Sequence, residues 1–103
     1  MPNPLIIKNM YVPKVGQGAP MRDALREAAD TWEREGHPRL QLWRPFGGPH
    51  NSIVTIQRWE SYARWEELRE TFPENPVLRS LVFDQIYPTN ASAYETELFE
   101  DLG

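Results

Sequence analysis

Two side-chain amides and a set of aromatic rings are the residues of this sequence best suited to chemistry. Asn9 and Tyr11 stand at alternate positions of one apolar stretch, and Thr55, Gln57 and Trp59 at alternate positions of another. Alternation with period two puts each set on one face of a strand. A strand over 39–46 would add Gln41 and Trp43 to that face. An aromatic surface with a few amides suits a small, flat ligand. Asn9 or Gln57 would hold a carbonyl or oxyanion, while Tyr11, Trp43 and Trp59 stack on the ligand and exclude water. The same residues also fit a polar interface between subunits or a hydrogen-bonded core. The set lacks a base, because no His or carboxylate stands at a matching position.

The remaining polar candidates have simpler readings. His37 falls at the end of a helical pattern, where positive charge suits the dipole, and His50 sits in a Gly-rich turn. No His, Asp and Glu spacing resembles a metal-ligand set, so neither a metal nor a bound cofactor is expected. Ser61 reads as a helix cap rather than a nucleophile. Glu66, Glu67, Glu70 and Glu74 read as a solvated helix face. Gly16-Gln17-Gly18 precedes a helix, where an anion can bind, but it lacks the phosphate-cradle pattern and reads first as a connection.

The elements that must position these residues follow from periodicity and punctuation. Residues 5–12 are apolar at nearly every position and read as a buried strand closed by Pro13. Pro20 suits a first helical turn, and Met21, Leu25, Ala28 and Trp32 recur at helical spacing until Gly36-His37-Pro38. A second strand is expected over 39–46, with Leu40, Leu42 and Phe46 on one side and Gln41 and Trp43 on the other. Gly47 to Asn51 forms a connection, and 52–59 is a third strand rich in β-branched residues. Ser61 starts a second helix carrying Tyr62, Trp65, Leu68 and Phe72. Pro73 interrupts it, and a further helical stretch runs from Asn75-Pro76 to Pro88. Residues 92–100 alternate as a last strand. The order β-α-β-β-α-β, with the second helix broken, is the split βαβ or ferredoxin-like arrangement: an α+β fold with a four-stranded antiparallel sheet.

The 103 residues make a single domain, 1–103. A chain this short buries roughly 60–65% of its unfolded surface. Four Trp, four Tyr and four Phe argue against disorder. Eleven Lys and Arg against fifteen Asp and Glu give a net charge of −4, which argues against a basic patch and a nucleic-acid partner. The absence of Cys excludes disulfides and thiol chemistry. No apolar run is long enough for a membrane span or signal peptide, so a cytoplasmic protein without membrane association is expected.

Strands one and three are apolar on both faces. Leu5, Ile7 and Tyr11 oppose Ile6, Met10 and Val12, and Ile53 and Trp59 oppose Val54 and Ile56. The aliphatic face is expected to comprise Ile6, Met10, Leu40, Leu42, Val54, Ile56 and Leu98, although parity alone leaves open which face meets the helices. Two helices cover only one face of a sheet. A second copy packed sheet on sheet covers the other economically, so a homodimer is expected. The alternative is a monomer whose Pro-rich ends fold over the sheet.

Several of these segments resemble the dimeric α+β barrel superfamily, and within it NIPSNAP-type proteins most, with antibiotic biosynthesis monooxygenase-like proteins as near neighbours. Asn9-Met10-Tyr11-Val12-Pro13-Lys14 resembles the first strand and exit turn, with Asn9 where NIPSNAP proteins usually carry Arg. Gly47-Gly48, Asn51 and the run from Ile53 to Ile56 resemble the hairpin into strand three. Trp59-Glu60-Ser61-Tyr62 resembles the start of the second helix, with Gln57 where a Trp is often found. The resemblance implies a homodimer with one pocket per subunit between sheet and helices. It also implies a range of activities that includes cofactor-free oxygenases, haem-degrading enzymes, cyclases and lactone isomerases. Haem-degrading relatives use an Asn in strand one, a Trp on the second helix and a later His. Asn9 matches the first. The Trp position falls near Leu68, with Trp65 one turn earlier as the aromatic candidate. No His occurs over 74–88, which argues against haem degradation through a His ligand.

Two functions follow as expectations. One is a cofactor-independent, monooxygenase-like enzyme acting on a small aromatic or polyketide-like molecule, with Asn9 and Gln57 as catalytic candidates and Tyr11, Trp43, Trp59 and Trp65 lining the ligand. The other is a non-catalytic dimeric module that binds a small apolar or aromatic ligand or another protein.

Overall fold

The computed structural model describes residues 3–46, 52–71 and 91–103. Strand β1 (Leu5–Pro13) leads to helix α1 (Gly18–Arg34), then β2 (Gln41–Trp43), β3 (Ile53–Trp59), helix α2 (Tyr62–Thr71) and β4 (Ala91–Glu100). The sheet order is β2-β3-β1-β4, with every neighbouring pair antiparallel. This is the expected ferredoxin-like sheet, with the two strands that are apolar on both faces at its centre. The expected Gly47-to-Asn51 turn and the helical stretch from Asn75 to Pro88 lie outside the described residues.

The local chemistry explains the element ends. β1 stops where Pro13 cannot continue the ladder, and its pairing with β4 shifts between Val12 and Pro13. Pro20 sits in the first turn of α1, where its missing N–H would have had no helical partner. At the far end Gly36 takes φ +83°, a left-handed value that favours glycine. Its N–H donates to Glu33 O at 3.1 Å, and the His37 N–H to Trp32 O at 2.9 Å. These two bonds close the helix in a Schellman motif. The hydrophobic contact that accompanies this motif is the edge-on packing of His37 against Trp32, with centroids 5.6 Å apart. α2 begins at Ser61, whose Oγ accepts from the Arg64 N–H at 3.3 Å.

One face of the sheet carries both described helices, and its side chains form two apolar clusters. Tyr11 and Leu40 pack with Met21, Ala24, Leu25, Ala28 and Ala29 of α1, joined by Leu42 and Ile53. Leu5, Ile7 and Trp59 pack with Trp65 and Leu68 of α2. Trp32 touches both clusters.

Register corrects the expected faces. Gln41 pairs with Ile56 and Trp43 with Val54, while Ile56 pairs with Lys8 and Val54 with Met10. Gln41 and Trp43 therefore lie on the open face, away from Asn9 and Tyr11. Leu40 and Leu42 lie on the helix face, as does Leu98, which pairs with Ile7. β2 is three residues long rather than eight, so the alternation expected as far as Phe46 stops short of it.

Candidate functional site

Read across β3, β1 and β4, the helix face is a set of rows. Trp59, Leu5 and Glu100 form one, then Gln57, Ile7 and Leu98, then Thr55, Asn9 and Thr96, then Ile53 and Tyr11. The third row is polar throughout and lies between the clusters under α1 and α2. A polar seam inside an apolar layer costs free energy wherever a group lacks a hydrogen bond. The Thr96 Oγ1 donates to Asn9 Oδ1 at 2.8 Å. Its Oδ1 so engaged, the Asn9 amide has Nδ2 as its donating end. Thr55 is 1% exposed, and its Oγ1 has no partner among the described residues.

That unpaired hydroxyl gives a direct test. Thr55→Val keeps the shape and removes the orphaned group, so it is expected to leave the urea midpoint unchanged or raise it. A loss of about 1–3 kcal/mol would mean that the hydroxyl has a structural partner.

The other expected site residues distribute unevenly around the seam. Gln57 is buried one row away, and its Nε2 donates to Pro38 O at 2.7 Å. This amide ties the segment after α1 to the sheet, a positioning role. Trp59 is 5% exposed, its indole edge-on to Trp32 at 6.2 Å and tilted against His37 at 5.9 Å. The Trp59 Nε1 is buried without a partner among the described residues. Tyr11 is buried against α1. Trp65 packs on the Leu5, Ile7 and Trp59 cluster, with the Arg69 guanidinium 5.2 Å from its ring centroid. Trp43 is 55% exposed on the open face, beside a separate cleft of about 580 Å³ lined by Ile6, Gln41, Ile56 and Arg58 among others. The structure thus brings together Asn9, Tyr11, Gln57, Trp59 and Trp65 on one face and leaves Trp43 off it.

His37 is the participant the sequence pattern obscured. Its position after Gly36 at a helix end carried the signal, because the second residue past a Schellman cap packs back on the helix. The groups with displaced proton affinities lie elsewhere. The hydrogen bonds that Arg39 donates to Asp30 and then to Glu33 raise its pKa. The Gly103 N–H, and then Arg58, hold the Asp101 carboxyl below its ordinary value. Among the described residues no cluster of three His, Asp or Glu could hold a metal ion, and no helix is long and apolar enough to cross a membrane.

The row sets an amide and a buried hydroxyl, groups able to hydrogen-bond a ligand oxygen, between two hydrophobic clusters. No protein-family model matches the sequence, and no curated protein does. Solved structures do match. A NIPSNAP domain protein from Burkholderia xenovorans aligns over 94% of this chain and 93% of its own, at 17% identity and a TM-score of 0.76. SnoaB, a cofactor-independent oxygenase from Streptomyces nogalater in a point-mutant form, aligns over 98% and 95%, at 17% identity and 0.75. An antibiotic biosynthesis monooxygenase-like protein from Nitrosomonas europaea aligns over 99% and 93%, at 12% identity and 0.74. At these identities the likeness is one of fold. The chain has the ferredoxin-like α+β fold found in NIPSNAP domain proteins and in antibiotic biosynthesis monooxygenase-like proteins.

Proposed function

We propose that the chain is a homodimer, packed sheet to sheet, that binds a small aromatic or polyketide-like molecule at the Thr55–Asn9 seam. There it oxidises the molecule with dioxygen, without a metal or bound cofactor. The observation that carries this reading is the buried Thr55 hydroxyl, unpartnered among the described residues and across the ladder from the Asn9 amide. The fold shared with an oxygenase that needs no cofactor supports the reaction class.

An anthrone-type substrate carries the electrons for such a reaction. Its methylene carbon loses two C–H bonds and gains a C=O bond, a four-electron oxidation. Dioxygen accepts the four electrons; one oxygen atom becomes the new carbonyl and the other leaves as water. Hydrogen bonds from Asn9 Nδ2 and Thr55 Oγ1 would stabilise the enolate oxygen formed when the substrate first loses a proton to water. Oxygen uptake with a reduced anthrone, followed by product mass, tests this. Wild type is expected to consume oxygen, and Asn9→Ala to lower kcat/KM at least tenfold. No uptake by wild type, or an unchanged rate in the variant, removes the enzymatic reading.

A second reading rests on the absence of a carboxylate or imidazole from the polar row and the two rows beside it. A non-catalytic binding module needs none. It gives saturable ligand binding with no change in ligand mass.

The dimer is supported by the open face. Ile6, Met10, Val12, Val54, Ile56, Trp43 and Phe99 share it with Lys8, Gln41, Arg58, Glu95 and Glu97, and no described helix covers it. Light scattering is expected to give twice the 12.0 kDa chain mass. Ile56→Lys sets a second ammonium beside Lys8 on the open face and is expected to give monomers by like-charge repulsion across the interface. A wild-type monomer would count against the sheet-to-sheet assembly.

A further inference from the structure

A different site lies at the opposite end of α1 from the His37 closure. The chain leaving β1 turns at Gly16, φ 79°, and enters α1 at Gly18. Between this turn, the first turn of α1 and the start of β3 is a cleft of about 330 Å³. Lys14, Arg22 and Arg44 line it with Pro13, Gly18 and Ile53, and among the described residues no carboxylate does. Three cations facing one cleft is unexpected in a chain of net charge −4.

Lys14 and Arg44 differ from most of the other cations in having no carboxylate partner among the described residues, and Arg22 has one only at 3.6 Å, from Asp23. Lys8, Arg39, Arg58, Arg64 and Arg69 each lie within reach of a carboxylate. Among the described residues the side chains of Lys14, Arg26 and Arg44 have neither an ion pair nor a hydrogen bond, and two of these three line the cleft. Asp23 Oδ1 stands 3.6 Å from the Arg22 Nε, too far for a hydrogen bond, and that Nε is buried without an acceptor. The start of α1 adds to the positive field. Its first turn holds no acidic residue, and Gln17 at the cap makes no side-chain bond to the helix.

We infer that this cleft binds a multiply charged anionic group carried by a small molecule, a phosphate monoester or a dicarboxylate. A single carboxylate would answer one of the three cations. A dianion bridges two guanidiniums and an ammonium, and Arg forks hold such oxygens two at a time. The cleft begins at Pro13, about 13 Å along β1 from Asn9 at roughly 3.3 Å per residue. It is separate from the seam and stands or falls independently of the oxygenase reading.

Arginine Nε–H resonances of the full chain, followed during titration with inorganic phosphate, test the site. The Arg22 signal is expected to shift saturably, with affinity falling as salt is raised. Arg44→Gln and Lys14→Gln are each expected to weaken binding at least fivefold, while Arg26→Gln leaves it unchanged. Lys14 and Arg44 are exposed, so melting curves of these two variants are expected to match wild type, and either variant suffices for the comparison. Phenyl phosphate and phthalate distinguish the two anion classes, with phenol as the neutral control. No saturable shift with any of these anions overturns the site. A loss in Arg26→Gln equal to that in Arg44→Gln overturns it too, since attraction would then come from overall charge.

Discussion

Trp59→Ala is expected to cost about 3–5 kcal/mol, the usual range for deleting a buried large aromatic side chain. A domain of this length is held by roughly 5–15 kcal/mol in total, so the variant sits near the edge of folding. Its melting midpoint should drop on the order of 12 °C or more. The size follows from position. Trp59 ends β3, forms the centre of the cluster under α2, and supports both Trp32 and His37. Trp59→Phe loses part of the ring volume, partly offset by removal of the unpartnered Nε1–H, so a loss of about 1–2 kcal/mol is expected. Thermal unfolding of both variants checks the order. Comparable losses in the two would place the energetics in the indole N–H rather than in ring volume.

Leu25→Ala is expected to cost about 2–5 kcal/mol, toward the upper end if the site cannot collapse. Leu25 is 1% exposed and faces Tyr11 and Leu40 across the interface between α1 and the sheet. Its neighbours Ala24, Ala28 and Ala29 are small, so nothing long enough stands ready to fill the space. The adjacent, exposed Arg26 gives the control. Arg26→Ala should stay within about 0.5 kcal/mol. Urea denaturation with an unchanged slope would show that a cavity, and not a looser unfolded state, accounts for the difference.

The central strands and α1 were legible because their patterns are long and their punctuation is explicit. Nine residues of β1 and seven of β3 give unambiguous parity. Pro20 and Gly36 bracket α1 by backbone chemistry alone. The placement of Asn9, Tyr11, Thr55, Gln57 and Trp59 on one face was legible for the same reason. Trp43 was not. Parity within β2 correctly separated Leu40 and Leu42 from Gln41 and Trp43. Relating that parity to the neighbouring strand requires the register, and a slip of one residue exchanges the faces. Composition gave no correction, because both faces of the central strands are apolar. The bond from Gln57 to Pro38 was also hidden, since it joins segments 19 residues apart and depends on where the helix closure delivers the chain.

The sheet order leaves β4 on an outer edge, and this has a consequence for how the protein behaves in concentrated solution. The outer side of this ten-residue strand, unpaired within the described sheet, is a template for another chain, whereas β2 at the opposite edge offers three residues. β4 carries Glu95, Glu97 and Glu100 among its exposed residues, with Lys8 as a partner for Glu97 at 3.8 Å. Like charges brought edge to edge repel, so the glutamates make a second β4 a poor match for the first. The composition that makes the chain acidic thereby also disfavours pairing of this edge strand with its own copy.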